Sequence, residues 1–157
     1  MKNGAKLIIS IVLCQVAGIV GSLFTRQSVD TWYININKPF FNPPDSVFAP
    51  VWIILYLLMG VSLFIFWRKG QNTRQSKIAI SAFMLQLILN VLWSFAFFGC
   101  RSPLAGLIVI VLLWVAILLT IVSFLKISRI ASILLSPYLL WVSFAAVLNA
   151  AIFVLNR

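Results

Sequence analysis

Short patterns of amide, aromatic and small residues interrupt a chain that is otherwise almost entirely apolar. Gln86, Asn90 and Ser94 follow one another at intervals of four, as do Trp52, Tyr56 and Gly60, and again Trp141, Ala145 and Asn149. That spacing puts each set on one face of a helix. A milder face carries Gln15, Gly18 and Ser22. An amide within an apolar stretch is costly unless it finds a partner. Read singly, such faces are helix–helix glue. Read together, they describe a cavity wall that is apolar and aromatic, with a few convergent polar groups. Ordinary acid–base chemistry has almost nothing to work with. The chain has no His and no Glu, which excludes Ser-His-Asp triads, the usual zinc sites and His-ligated haem. Asp30 and Asp45, the only acids, read as turn or cap residues.

The elements that must carry these faces are membrane spans. Of 157 residues, 63% are hydrophobic and 9% charged, whereas a soluble domain carries roughly a quarter charged residues. Five apolar runs, 7–24, 47–67, 78–98, 104–125 and 131–155, contain no Asp, Glu, Lys, Arg or His. Each approaches the twenty or so residues a helix needs to cross about 30 Å of hydrocarbon. The sequence predicts an all-α integral membrane protein, a single domain over 1–157, with spans at about 5–24, 47–67, 78–98, 103–125 and 131–155. The first run continues to Phe24 without a small-x-small cleavage site, so it reads as a span and not a signal peptide. Cys14 lies mid-span and Cys100 in a turn, which implies no disulfide framework and no metal site.

A net charge of +10 does not point to nucleic acid, because the cations sit between the spans. Lys2, Lys6, Arg68, Lys69, Arg74, Lys77, Lys126 and Arg129 fall on one side; Arg26, Lys38, Arg101, Arg157 and both acids fall on the other. This bias predicts a multi-pass cell-membrane protein with a cytoplasmic N-terminus, and with the 25–46 loop and the C-terminus outside. Trp67, beside Arg68 and Lys69, reads as an interfacial belt residue. Short connectors make consecutive spans antiparallel neighbours. The exception is the first connector, roughly twenty residues over 25–46, which holds Pro39, Pro43 and Pro44 among aromatics. It is expected to be a long structured loop between helices 1 and 2. Prolines fix its backbone and lower the entropy cost of holding it as a lid.

At these residues the sequence resembles a known family. WYININKPFFNPPDSVFAPVWIILYLLMG (32–60), QLILNVLWSFAFF (86–98) and PYLLWVSFAAVLNAAI (137–152) resemble the signature of the translocator protein family, the TspO/MBR or tryptophan-rich sensory proteins, also called peripheral-type benzodiazepine receptors. The resemblance implies a five-transmembrane-helix bundle, often a homodimer, with a ligand cavity beneath the first loop. It implies binding of porphyrins or other planar apolar small molecules, and for some bacterial members light-dependent oxidative breakdown of protoporphyrin IX. Carried over by position, it implies a ligand-binding set of Trp32, Tyr33, Pro43, Trp52, Tyr56, Asn90, Trp141 and Ala145, to which the helix face adds Asn149. Where animal members carry a Tyr followed by a basic residue for cholesterol, the segment 147–157 has no Tyr.

No obligatory cofactor is expected, since a free-base porphyrin brings its own photochemistry and needs only light, oxygen and a protein that positions it. Trp52 and Trp141 are expected to contact the ring and to take the photo-oxidative role. Asn90 and Tyr33 are expected to donate hydrogen bonds, and Lys38 or Arg26 to meet a propionate at the mouth. The alternative is a tetrapyrrole or lipid carrier, or a stress-sensing regulator, without catalysis. The apolar spans lack the ionisable relay that a proton-coupled pump needs.

Overall fold

The computed structural model describes residues 3–69 and 73–157; Lys2 and the centre of the basic connector at 70–72 lie outside them. The described chain is helical, with α1 (Asn3–Val29), α2 (Asp45–Lys69), α3 (Arg74–Ser94), α4 (Pro103–Leu125), α5 (Arg129–Ile133) and α6 (Ser136–Leu155). Five spans result, because α3 continues through a π turn to Gly99 and α5 with α6 forms one interrupted crossing. Without water in the hydrocarbon, a helix satisfies its own backbone groups, and the apolar runs fold accordingly. Side-chain N-caps open two of the crossings at the turns. Thr73 Oγ1 accepts from the Ser76 N–H at 3.2 Å, and Ser102 Oγ accepts from the Ala105 N–H at 3.2 Å, with Pro103 opening α4.

The first helix is longer than its apolar run. It continues to Val29, so Thr25 and Arg26 belong to its last turns and not to the loop. Hydropathy marks where the bilayer ends, but nothing between Ser22 and Val29 breaks a helix. The connector therefore spans 30–44 and contains one 3₁₀ turn, Tyr33–Asn35. Its middle is tied to the far end of the chain. The Asn37 N–H donates to Asn156 Oδ1 at 2.9 Å, and Asn156 Nδ2 donates back to the Asn37 carbonyl at 2.8 Å.

Two further departures from plain helix occur, and buried side-chain hydroxyls compensate both. Pro137 has no N–H and its ring disfavours a continuing helix, so the last crossing breaks at Leu134–Leu135. The Leu135 N–H bonds to the Ser132 carbonyl at 3.1 Å, and the Ala131 carbonyl is taken by Ser62 Oγ at 2.6 Å. At the end of α3, Phe95–Gly99 widen into a π turn closed by the Cys100 N–H on the Phe95 carbonyl at 2.7 Å. There the Phe98 carbonyl accepts from Ser28 Oγ at 2.7 Å.

Close packing fills the half of the bundle near the basic connectors. Phe66 stacks on Phe124 at 4.1 Å, and Phe83 also lies parallel to Phe124 at 5.7 Å. Gly60 lets α1 approach until a Cβ there would stand 2.7 Å from the Ile11 Cα. In the other half, towards the proline-rich connector, the helices diverge.

Candidate functional site

The divergence leaves a cavity of about 540 Å³, within the usual range for small-molecule sites, roughly 300–1,000 Å³. Its walls come from α1, α2, α3 with its π turn, and α6; Tyr33 of the connector also lines it, and α4 contributes nothing. Tyr33, Trp52, Tyr56, Asn90, Trp141, Ala145 and Asn149 line it together, joined by Gln15, Gly18 and Ser22 of the mild face. Trp32 and Pro43 do not. Trp32 packs edge-on against Phe97 at 5.5 Å. The Pro43 carbonyl accepts from Asn42 Nδ2 at 3.0 Å, while Asn42 Oδ1 accepts from the Tyr33 hydroxyl at 2.9 Å. Both therefore brace the wall from behind, because Tyr33 occupies the position that faces the space.

The indoles belong to two aromatic groups on the lining. The Trp52 ring lies 6.1 Å from Trp93, and Trp93 stacks on Phe97 at 5.8 Å. Trp141 meets Phe48 edge-on at 6.1 Å. Trp93, Phe48, Phe97 and Phe98 were not in the sequence-derived set, although the spacing carried them. Trp93 follows Asn90 by three residues, Phe48 precedes Trp52 by four, and Phe97 and Phe98 follow Ser94 by three and four.

Asn90 and Asn149 take structural partners first, whereas the buried Gln86 amide has none among the described residues. Asn90 Oδ1 accepts from the Tyr56 hydroxyl at 2.6 Å, and its Nδ2 donates to the Tyr138 hydroxyl at 2.6 Å. Asn149 Oδ1 accepts from Trp93 Nε1 at 3.1 Å, and its Nδ2 donates to the Pro103 carbonyl at 2.8 Å. One of the two Asn90 Nδ2 hydrogens is thus already engaged, and so is the Tyr33 hydroxyl. The Trp141 Nε1–H is buried at the cavity with no acceptor among the described residues. An unpaired indole donor on an apolar wall is a fixed point for a ligand acceptor.

Two charges stand at the mouth, Arg26 from the last turns of α1 and Asp45 from the first turn of α2. Lys38 lies away from it, its ammonium 4.7 Å above the Tyr33 ring in a cation–π contact. Burial and the neighbouring Asp45 charge push the Tyr33 phenol up to about 12, partly offset by its hydrogen bond with Asn42; it stays protonated at neutral pH. The α1–α2 side of the cavity is open, since Ile19 is 60% exposed and Ile53 59% exposed while both line the space.

Comparison with known proteins agrees with this architecture. The TspO/MBR family description matches residues 10–155. The chain is 48% identical to Tryptophan-rich protein TspO of Archaeoglobus fulgidus, over 98% of this chain and 99% of the relative. It is 46% identical to Tryptophan-rich protein TspO of Chlorobaculum tepidum, over 99% and 98%. It is 35% identical to the human Translocator protein, over 83% and 78%. With matched residues running from the first span to the end of the last, this multi-pass membrane chain belongs to the TspO/MBR family.

Proposed function

We propose that the chain is a membrane receptor that binds tetrapyrroles such as protoporphyrin IX in this cavity and promotes their light-dependent oxidative degradation. The observation that carries the reading is the wall itself: Trp52, Trp93 and Trp141 surround one space of about 540 Å³, with Arg26 at its mouth. A flat apolar macrocycle suits the aromatic wall, a ring or side-chain acceptor suits the free Trp141 N–H, and a propionate suits the Arg26 guanidinium. The connector acts as the lid, its prolines and the Asn37–Asn156 pair holding it in place. The working unit is a homodimer with its N-terminus in the cytoplasm.

The chemistry belongs to the ring and dioxygen. An excited ring takes one electron from a nearby indole, Trp52 or Trp141, and returns it after dioxygen has been activated, so the indole is unchanged overall. Dioxygen then adds across a methine double bond. Cleavage of that carbon–carbon bond and of the O–O bond leaves two carbonyl groups; the ring is oxidised and one dioxygen is consumed whole. The protein supplies position and a reversible electron donor.

A carrier reading has its own support in the open α1–α2 side, where Ile19 and Ile53 join the cavity to lipid. Turnover separates the two. Purified protein in detergent is illuminated with protoporphyrin IX, and ring absorbance is followed for wild type and for Trp52→Phe/Trp141→Phe, with dark binding measured by indole fluorescence quenching. Degradation to a defined product by wild type alone, with both proteins binding in the dark, supports the indole role. Equal survival of the ring in both removes degradation and leaves a carrier or sensor.

A further inference from the structure

The end of the bundle opposite the cavity mouth carries a second, smaller concavity. Arg74 and Gln75 open α3, Ser123 and Lys126 lie at the end of α4, and together with Ile78 they line a cleft of about 320 Å³. Its two cations come from different helices and converge on one space. No carboxylate of this chain can neutralise them: the only acids are Asp30 and Asp45, which sit at the last residue side of α1 and the start of α2, across the membrane. A cluster that merely sets orientation needs no concavity. This one pairs a guanidinium, able to grip two oxygens of a phosphate, with an ammonium, and adds the hydroxyl of Ser123 and the amide of Gln75.

Below the cations the surface turns apolar and faces lipid. Ile78 lines the cleft and is 55% exposed, and Leu119, Val122 and Leu125 of α4 are exposed on the same stretch of helix. Charge above and an unpartnered apolar surface below match the two halves of an amphiphile. We propose that this cleft between α3 and α4 binds the headgroup of an anionic phospholipid, with the phosphate between Arg74 and Lys126 and an acyl chain running down over Ile78.

The full chain is placed in micelles of neutral detergent and titrated with phosphatidylglycerol, with phosphatidylcholine or with inorganic phosphate, and bound adducts are counted by native mass spectrometry. Wild type is expected to retain phosphatidylglycerol in preference to phosphatidylcholine. Arg74→Gln/Lys126→Gln is expected to weaken that retention on the order of 30-fold, the combined effect of two surface cations. Arg68→Gln/Lys69→Gln, which removes the same charge at the same end but outside the cleft, is expected to keep the preference, as is the charge-preserving Arg74→Lys/Lys126→Arg. Should the double glutamine variant not fold, Arg74→Gln and Lys126→Gln singly are each expected to lose roughly fivefold. Equal losses in the cleft and control variants mean a diffuse surface potential and overturn the proposal. Phosphate binding as tight as lipid binding means a free-anion site and overturns the lipid assignment.

Discussion

The Tyr56 hydroxyl donates to Asn90 Oδ1 at 2.6 Å, joining α2 to α3 beneath the cavity, where both residues are buried. The same amide donates to Tyr138 of α6, so one side chain holds three helices. The two ends of this network are not equivalent. Tyr56→Phe removes one bond and leaves a single amide lone pair idle, a loss of about 0.5–1.5 kcal/mol. Asn90→Leu strands two buried hydroxyls at once and is expected to lose about 2–3 kcal/mol. Unfolding in a denaturing-detergent titration measures both, and equal losses in the two variants would show that Asn90 is not the hub.

Gly18 is fixed by the same tyrosine. A Cβ at Gly18 would stand 2.6 Å from both Cδ2 and Cε2 of the Tyr56 ring. That ring cannot retreat easily, because its hydroxyl is engaged by Asn90. Gly18→Ala is therefore expected to destabilise the protein by about 1–3 kcal/mol, despite alanine's better helix propensity. Gly4→Ala is the control, since nothing lies within 4 Å of a Cβ there, and a neutral or slightly stabilising change is expected. Thermal unfolding of the two variants in one detergent makes the comparison.

The interrupted last span predicts a cost at a residue distant in sequence. Ser62 Oγ satisfies the Ala131 carbonyl at 2.6 Å, next to the break that Pro137 imposes. Both residues are fully buried, so nothing replaces the lost hydroxyl and Ser62→Ala is expected to lose about 1–2 kcal/mol. Thr31→Ala removes a hydroxyl bond to the Gln27 carbonyl, 3.1 Å long and in an exposed place, and is expected to stay within about 0.5 kcal/mol. Matching losses for the two would mean that Ser62 does no more than an exposed hydroxyl.

The contrast between Asn90 and Asn37 shows how far the sequence could be read. Five spans follow from apolar length alone, and the four-residue spacing of Gln86, Asn90 and Ser94 or of Trp52 and Tyr56 selects their inward faces. The same rule reaches Phe48, Trp93, Phe97 and Phe98, which extend those faces by three or four residues. Periodicity does not say which inward groups are already spoken for. Asn90 and Asn149 spend their amides on helices, while the Trp141 N–H finds no acceptor among the described residues. Nor does local pattern report pairs such as Asn37 with Asn156, whose partners lie 119 residues apart. The length of α1 is a different matter: an apolar run measures the bilayer, and polar residues such as Thr25 and Arg26 prolong a helix beyond it. The π turn at Phe95–Gly99 likewise has no proline to announce it.

Tyr33 connects the cavity to alkaline stability. Its hydroxyl donates to Asn42 Oδ1, and burial, then the Asp45 charge, push its pKa from the ordinary 10.0 up to about 12. A phenol whose folded pKa is raised holds its proton more tightly in the native state than in the unfolded chain. Its contribution is complete below pH 10, because both states are then protonated, and it is lost as pH climbs from 10 towards 12, because only the unfolded state gives up its proton freely. Stability should therefore fall with rising pH across that window, and Tyr33→Phe, having no proton to lose, should show a shallower fall. Unfolding midpoints taken between pH 8 and pH 12 for wild type and Tyr33→Phe test this, together with phenolate absorbance. Parallel slopes in the two proteins would mean that Tyr33 titrates as an ordinary exposed phenol and that the connector does not hold it against the cavity.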